Sequence, residues 1–388
     1  MRKEIVVLGA GKIGRGSVAL FFGQSGWKVD LYGHNPEKMA RLAEQGYYDT
    51  RNESGVVTRV EGFDVLDCAA DDECVERLAR VNVCAIAAYE GAFPSMAATI
   101  GRAVQRRADA GSDEPLNVML CVNDVHCAET VDAGIRAQLD EAGLACYESN
   151  VGLCYTMVQS LGSNPPEGEN PWLVLTSDNP SLIVDGDPWK GERVDVVHVS
   201  YTTHGTAQIF RKVFSGNMSH AMKAFVGHAK GMAFMDEGIL DDEWSEWVNF
   251  KAFEEAIFAL SNEFEYDPEE MAEFVAHQKV PSNPSHDPFT RVGNSPAKKL
   301  SYDNRFVWPM RKCYEHGRLP WFLALGTAYG LLFLCDLEGR ERPADREQVV
   351  ALVEEVCGLT HEGEWVLRDL VVDSYLAIPE TGMMSDWR

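Results

Sequence analysis

Positive charge is scarce in this chain. Among its 388 residues, 60 Asp and Glu stand against 35 Lys and Arg, which gives a formal net charge of −25. A nucleic-acid partner is not expected, because neutralising phosphates requires a basic face. An anionic small molecule would need a local basic pocket in this acidic protein. Any cluster of cations is therefore informative.

Long apolar runs are also missing. No run reaches the roughly 18–20 residues that a membrane helix requires, and the strongest candidate, 319–335, contains Pro320, Gly326 and Gly330. Residues 2–4 are charged and lead directly into a short apolar run, which is unlike a signal peptide. We therefore expect a cytoplasmic protein that does not bind membranes.

The cysteines lack the spacing of metal or disulfide sites. The ten cysteines are scattered, and none forms a CxxC pair. Zinc sites favour close pairs, and disulfide scaffolds favour dense cysteines in short secreted chains. The cysteines are thus expected to be reduced, mostly buried thiols, and no metal site is predicted.

Apolar periodicity predicts two different halves. Apolar runs at 4–8, 28–32, 81–88 and 117–122 indicate strands, and helical segments follow them. This alternation predicts an α/β, Rossmann-type N-terminal domain with a mostly parallel, doubly wound sheet. Helical periodicity dominates from about residue 205. We therefore expect a dinucleotide-binding domain with an irregular β extension at 1–203 and a mainly α-helical substrate domain at 204–388.

A glycine-rich turn follows the first predicted strand. Gly9, Gly11 and Gly14 form a GxGxxG pattern that encloses Lys12 and Ile13. In a βαβ unit such glycines permit a tight turn, close approach of the backbone to a pyrophosphate, and close packing of helix on strand. The start of the following helix favours anions. These five residues are predicted to bind a dinucleotide.

The end of the second predicted strand bears on cofactor choice. An NAD site usually has Asp or Glu there, holding the ribose hydroxyls, but this chain has Gly33, His34 and Asn35. Asp30 comes too early, no Arg is present, and His34 and Lys38 are the nearby cations. We assign Gly33, His34 and Asn35 to the cofactor site and expect NAD, with NADP left open.

A second pattern, K-x₄-N-x₂-H, occurs in the helical half as Lys212, Asn217 and His220. On an α-helix, Asn217 would lie about 140° and His220 about 80° around from Lys212, so all three fit one broad face. Oxidation of an alcohol needs a base for the hydroxyl proton and donors for the developing alkoxide. A lysine can be that base only where burial or a neighbouring cation lowers its pKa.

The segment 211–227 resembles the polyol-specific long-chain dehydrogenases, and within them the mannitol-1-phosphate 5-dehydrogenases. The resemblance implies that Lys212 is the general base, that Asn217 is half of an oxyanion hole, and that His220 orients or contacts the substrate. The second oxyanion residue would be Asn123, in Cys121-Val122-Asn123, where Val122 replaces the glutamate of the family's motif. Asn123 could also serve as a helix N-cap.

A third similarity lies in residues 287–305, which resemble the R-K-L segment of phosphate-specific members and of the related hexuronate reductases. Two departures are visible. Asn294 stands where an arginine is usual, and one residue separates Asp303 from Arg305. The cations of the segment are assigned to a substrate phosphate, because Arg can clamp a phosphate through two hydrogen bonds and Lys adds a point charge. They are Arg291, Lys298, Lys299 and Arg305. A solvated, turn-rich loop is the alternative.

The resemblance implies an NAD(P)-dependent oxidoreductase that interconverts D-mannitol 1-phosphate and D-fructose 6-phosphate, as a monomer or weak homodimer. Three alternatives stay open. The chain could be a hexuronate reductase of the fructuronate or tagaturonate type, a dehydrogenase of non-phosphorylated polyols, or a nicotinamide-binding sensor without turnover. The intact K-x₄-N-x₂-H pattern argues against the sensor, which needs no base.

Overall fold

The structure is a computed structural model that describes residues 3–66, 71–160, 162–166, 168–236, 243–278 and 287–379. The chain divides into two compact units, Met1–Ile209 and Phe210–Arg388.

The N-terminal unit is built from alternating strands and helices. Its strands within the described residues are β1 Glu4–Leu8, β2 Lys28–Tyr32, β3 Tyr47–Asn52, β4 Val57–Glu61, β5 Asp64–Val65, β6 Val83–Ile86, β7 Leu116–Leu120, β8 Val151–Gln159, β9 Val174–Thr176, β10 Ser181–Asp185 and β11 Val199–Thr202. Its helices are a π-helical segment Gly14–Ala19 that continues as α1 Leu20–Gln24, then α2 Pro36–Gln45, α3 Asp71–Leu78, α4 Phe93–Asp109, α5 Cys127–Arg136, α6 Glu141–Asn150 and α7 Gly205–Arg211.

Eight of these strands form one twisted sheet in the order β11-β10-β8-β7-β6-β1-β2-β5. The six strands from β8 to β5 are parallel, whereas β10 runs antiparallel to β8 and pairs in parallel with β11. The strand order reverses between β1 and β6, which is the switch point where ligands bind in doubly wound sheets. The predicted Rossmann-type architecture is confirmed.

A smaller sheet, in the order β4-β3-β9, was only partly predicted. The apolar run at 173–176 suggests a strand and corresponds to β9, but β3 and β4 form a largely polar, half-exposed hairpin. Such a hairpin carries little apolar alternation, so its sequence gives a weak signal. The predicted β extension thus splits, because β9 joins this hairpin while β10 and β11 extend the main sheet.

The C-terminal unit is helical within its described residues, as expected. A π-helical segment, Lys212–Asn217, joins α7 to the next helix. The helices are α8 Met218–Ala229, α9 Glu243–Glu263, α10 Pro268–Gln278, α11 Phe289–Val292, α12 Pro296–Leu300, α13 Val307–Glu315, α14 Trp321–Glu338, α15 Arg346–Cys357 and α16 Trp365–Ala377.

Helix α14 is the core of this unit. It is the one helix of the described chain that is long and apolar enough to cross a membrane, but 72% of it is buried inside the protein. Two glycines lie inside this helix at positions where neighbouring side chains pack closely. A Cβ at Gly326 would meet the Phe306 ring, and one at Gly330 would meet Leu300 and the Phe225 ring. The burial of α14 is that of a helix in a protein core.

Candidate active site

The glycine turn lies at the carboxyl end of β1, beside the switch point. The backbone N–H groups of Gly9 and Ala10 donate to the Tyr32 carbonyl at 2.8 and 3.1 Å. Gly9 has a φ of +113°, and a Cβ there would collide with the Ala87 carbonyl at the end of β6. Only glycine satisfies both the dihedral angle and the space at this position.

The other two glycines differ in what surrounds them. A Cβ at Gly14 would collide with the Gly9 carbonyl, so the helix packs directly on the turn. No atom lies within 4 Å of where a Cβ of Gly11 would stand. The helical residues begin at Lys12, directly after Gly11. Open space at the second glycine, at the start of a helix, fits the pyrophosphate of a dinucleotide.

The end of β2 shows what its predicted cofactor residues do in the protein. A Cβ at Gly33 would meet the Met39 sulfur at 2.6 Å, so this glycine packs closely on the Met39 side chain. Asn35 caps α2, and its side chain accepts a hydrogen bond from the Lys38 N–H at 2.9 Å. His34 is exposed. Their contact with a cofactor remains a prediction.

Asn123 lies just beyond β7, on the same edge of the sheet as the glycine turn. The Cys121 N–H still donates to the Ile86 carbonyl at 2.9 Å, and the chain bends away immediately afterwards. Asn123 is exposed. The following helix, α5, starts at Cys127 with His126 at its N-cap. Asn123 is therefore not the N-cap of α5, which removes the structural alternative considered for it.

Lys212 and Asn217 are the first and last residues of the second π-helical segment. This segment buries Val213, Phe214 and Ser215 and leaves Lys212 and Asn217 half-buried. The Phe214 ring stacks on Trp308 with centroids 4.5 Å apart. One side of the segment is thus anchored in the core.

The α-helical geometry assumed for the motif is wrong for this segment. An α-helix would put Asn217 about 140° around from Lys212. A π-helix closes each turn over i→i+5, which brings the sixth residue towards the face of the first. The Ser215 hydroxyl donates to the Arg211 carbonyl at 2.5 Å and helps to hold the wider turn. The π turn therefore aligns the two polar side chains more closely than spacing alone predicts.

His220 follows in the first turn of α8, and the structure brings part of the 287–305 segment to it. The His220 side chain is exposed. The pKa of its imidazole is nevertheless lowered, mainly by desolvation and to a smaller extent by the charge of Lys223. Arg291 and Arg305 lower this pKa further, and Asp287 opposes them. His220 is consequently neutral at physiological pH, and a neutral imidazole can both donate to and accept from a hydroxyl group.

Lys299 is the most perturbed of the predicted phosphate ligands. It is only 5% exposed, and its ammonium donates to the Asn294 carbonyl and, at 2.9 Å, to the Asn294 amide oxygen. Burial lowers the pKa of Lys299 to about 7, and the charges of Arg305 and Lys298 add to this effect. Asn294, the departure from the family's motif, thus holds a buried lysine in place.

Burial also lowers the pKa of Arg305 to about 10. The neighbouring carboxylate, Asp303, forms an ion pair with Arg311 at 2.8 Å. Arg291 is clamped by Asp287 through two hydrogen bonds. Specific contacts therefore hold the cations of this segment close to one another. The alternative of a solvated loop does not describe Lys299 or Arg305.

Lys223 is a member of this cluster that the sequence reasoning missed. It is three residues beyond His220, which places it on the same face of α8, and it pairs with Glu246 at 3.1 Å. That spacing was the available signal. We use the name cationic cluster for Lys223, Arg291, Lys298, Lys299 and Arg305. Such a group can hold an anionic substituent next to His220.

Two family models match the chain. The description "Mannitol dehydrogenase Rossmann domain" covers residues 3–195, and "Mannitol dehydrogenase C-terminal domain" covers residues 206–353. These matches confirm the predicted oxidoreductase class, the resemblance to polyol dehydrogenases and the NAD-type cofactor domain.

The curated relatives are distant but match over nearly their full length. The mannitol-1-phosphate 5-dehydrogenase of Halalkalibacterium halodurans is 26% identical over 366 residues, 92% of this chain and 96% of the relative. The enzyme of the same name from Lacticaseibacillus casei is 25% identical over 372 residues, 93% of this chain and 96% of the relative.

Solved structures show the same fold at lower identity. The mannitol 2-dehydrogenase of Pseudomonas fluorescens, in a ternary complex with NAD and D-mannitol, aligns with a TM-score of 0.74 at 16% identity, covering 98% of this chain and 93% of that one. A D-sorbitol dehydrogenase in substrate-free form aligns with a TM-score of 0.70 at 16% identity, covering 97% and 93%. With family models matching both units, this chain belongs to the mannitol dehydrogenase family.

Proposed function

We propose that this protein is an NAD(P)-dependent polyol-phosphate dehydrogenase that interconverts D-mannitol 1-phosphate and D-fructose 6-phosphate. The observation that carries the proposal is the cationic cluster beside His220 in a chain of net charge −25. Burial lowers the pKa of both Lys299 and Arg305, and the charges of Arg305 and Lys298 lower that of Lys299 further. Such an arrangement is costly unless an anion compensates it, and a phosphate carries the charge to do so.

In this proposal, the residues of the K-x₄-N-x₂-H pattern and Asn123 each have a separate role in the reaction. The nicotinamide supplies the hydride acceptor during oxidation. Lys212 takes the hydroxyl proton from the carbinol in that direction and returns it to the carbonyl oxygen during reduction. The side-chain amides of Asn217 and Asn123 donate to the same oxygen and stabilise its developing charge.

His220 and the cationic cluster position the rest of the substrate. A neutral His220 can hydrogen-bond a sugar hydroxyl, and Arg291 with Lys299 would meet the phosphate. We further propose that the protein works in the cytoplasm, as a monomer or a weak homodimer.

The direct test follows oxidation of NADH and NADPH at 340 nm with D-fructose 6-phosphate and with plain D-fructose. We expect fast turnover with the phosphate ester only, and competitive inhibition by inorganic phosphate. Arg291→Ala should raise the KM for fructose 6-phosphate by about tenfold, the cost of one hydrogen bond between charged groups. Arg346→Ala, which removes an exposed ion pair with Asp373, is the matched control and should leave this KM unchanged.

The alternatives predict different outcomes. Turnover with fructuronate and none with fructose 6-phosphate would assign the cationic cluster to a carboxylate. Equal turnover with fructose and its phosphate would remove the cluster from the substrate site altogether. Dinucleotide binding without turnover of any of these sugars would indicate the sensor.

A further inference from the structure

Two cations, Arg15 from the first π-helical segment and Lys38 from the first turn of α2, lie beside the Trp172 ring, and the chemistry described so far does not use them. The Arg15 guanidinium is buried and lies over the rings of Tyr48 and Trp172, 5.2 and 5.7 Å from their centroids. Its Nη1 donates to the Trp172 carbonyl at 2.9 Å, and its Nε donates to the Ala10 carbonyl at 3.1 Å. Arg15 thus fixes Trp172 against the glycine turn.

Lys38 completes this group from the first turn of α2. Its ammonium lies 5.8 Å from the centroid of the Trp172 ring, within the range of a cation–π contact. Desolvation lowers the pKa of Lys38, and the charge of Arg15 lowers it further. Within the described chain, neither Lys38 nor Arg15 forms an ion pair with a carboxylate. No carboxylate of the described residues therefore balances the positive charge at this place.

Arg15, Lys38 and Trp172 lie near the end of β2, where a Rossmann fold holds the adenosine ribose of a dinucleotide. Arg15 bonds to Ala10, whose N–H bonds to Tyr32 at the end of β2. In a Rossmann fold, the end of the second strand faces the adenosine ribose, where Asp or Glu holds the 2′-hydroxyl of NAD and a cation accommodates the 2′-phosphate of NADP. Here Asp30, the nearest carboxylate in β2, is 2% exposed and pairs with Lys28 and Arg77 instead.

We propose that the chain binds NADP(H) as well as NAD(H), with Lys38 as the contact for the 2′-phosphate and Arg15 as the residue that positions Trp172 beside it. The inference deepens the proposed function by naming the second cofactor class. It depends on dinucleotide binding alone, so it can be tested without a sugar substrate.

The experiment measures Kd for NADPH and NADH by fluorescence titration of the whole protein without sugar. We expect the wild-type Kd for NADPH to be within tenfold of that for NADH. Lys38→Ala should weaken NADPH about tenfold relative to NADH, the cost of losing one hydrogen bond to a charged group. Arg80→Ala, an exposed cation just before the amino end of β6, is the matched control and should leave the ratio unchanged.

Two further measurements make the test decisive. His34→Asp introduces the missing carboxylate and should shift the ratio towards NADH by repelling the 2′-phosphate. On the wild-type protein, 2′,5′-ADP should compete with NADPH more strongly than 5′-AMP does, a result that does not depend on any variant folding. The proposal is overturned if wild-type NADPH binds more than tenfold weaker than NADH, if Lys38→Ala changes the ratio less than threefold, or if 5′-AMP competes as well as 2′,5′-ADP. A failure with sugars but not with these ligands would overturn the proposed function alone.

Discussion

The candidate site of the N-terminal unit is made of backbone, whereas that of the C-terminal unit is made of side chains. In the N-terminal unit the glycine turn works through the absence of side chains, because Gly9 and Gly14 have no room for a Cβ. In the C-terminal unit the groups are side chains, namely Lys212, Asn217, His220 and the cationic cluster. Both sites nevertheless include a π-helical segment, Gly14–Ala19 in one and Lys212–Asn217 in the other.

The π-helical turn therefore has a different role in each unit. All six residues of the first π segment are buried, so its wider turn is a solution to packing on β1 and β9. The second segment buries its middle and turns its polar ends outwards. A site made of backbone should fail when atoms are added, and a site made of side chains should fail when atoms are removed. Substitutions in each unit can test this difference.

The largest effect is expected for Lys212→Ala. Without the base, kcat should fall by more than the roughly 10²–10³-fold typical of losing an oxyanion donor. The thermal midpoint should change little, because a half-buried lysine contributes little to the core. Steady-state rates and a melting curve on one preparation check both halves. Normal turnover by this variant would refute the proposed mechanism.

Asn217→Ala and Asn123→Ala should each lower kcat by about 10²–10³-fold, since each removes one donor to the developing alkoxide. The KM for the dinucleotide should be nearly unchanged, which separates this effect from damage to the cofactor site. Asn262→Ala is a suitable control, because the Asn262 amide donates to the Phe258 carbonyl of its own helix, on an exposed face of α9. A loss of rate as large in the control would mean that folding is being measured.

In the N-terminal unit, Gly14→Ala should destabilise the protein by about 1–3 kcal/mol, as overpacking does. The added methyl group would collide with the Gly9 carbonyl, and this backbone cannot move aside easily. Gly11→Ala is the matched comparison. It meets no protein atom within 4 Å, so it should keep the melting temperature and weaken dinucleotide binding alone. Equal loss of stability in both variants would contradict the assignment of Gly11 to the pyrophosphate.

The smallest effect concerns pH and the cationic cluster. Lys299 is charged only below its pKa of about 7, so the attraction for phosphate weakens as pH rises through that value. We expect kcat/KM for fructose 6-phosphate to fall above about pH 7. Lys299→Arg keeps its charge at all these pH values and should remove most of this fall. His220 does not compete as an explanation, because its lowered pKa leaves it neutral throughout this range.

Much of the fold could be read from local pattern. Strands β1 and β2 have the predicted bounds. Each is a short buried apolar run, which is a strong local signal. The β3–β4 hairpin had no such signal, because its strands are largely polar and half-exposed.

By itself the sequence determined the types of chemical group. The glycine turn, the K-x₄-N-x₂-H pattern and the run of cations are local strings whose chemistry follows from residue type and spacing. The tertiary structure alone decided which groups meet and with what charge. Burial lowers the pKa of Lys299, the π turn realigns Asn217 with Lys212, and Trp172 meets Arg15 and Lys38 from far along the chain. Desolvation and packing depend on neighbours distant in sequence, and no local pattern encodes them.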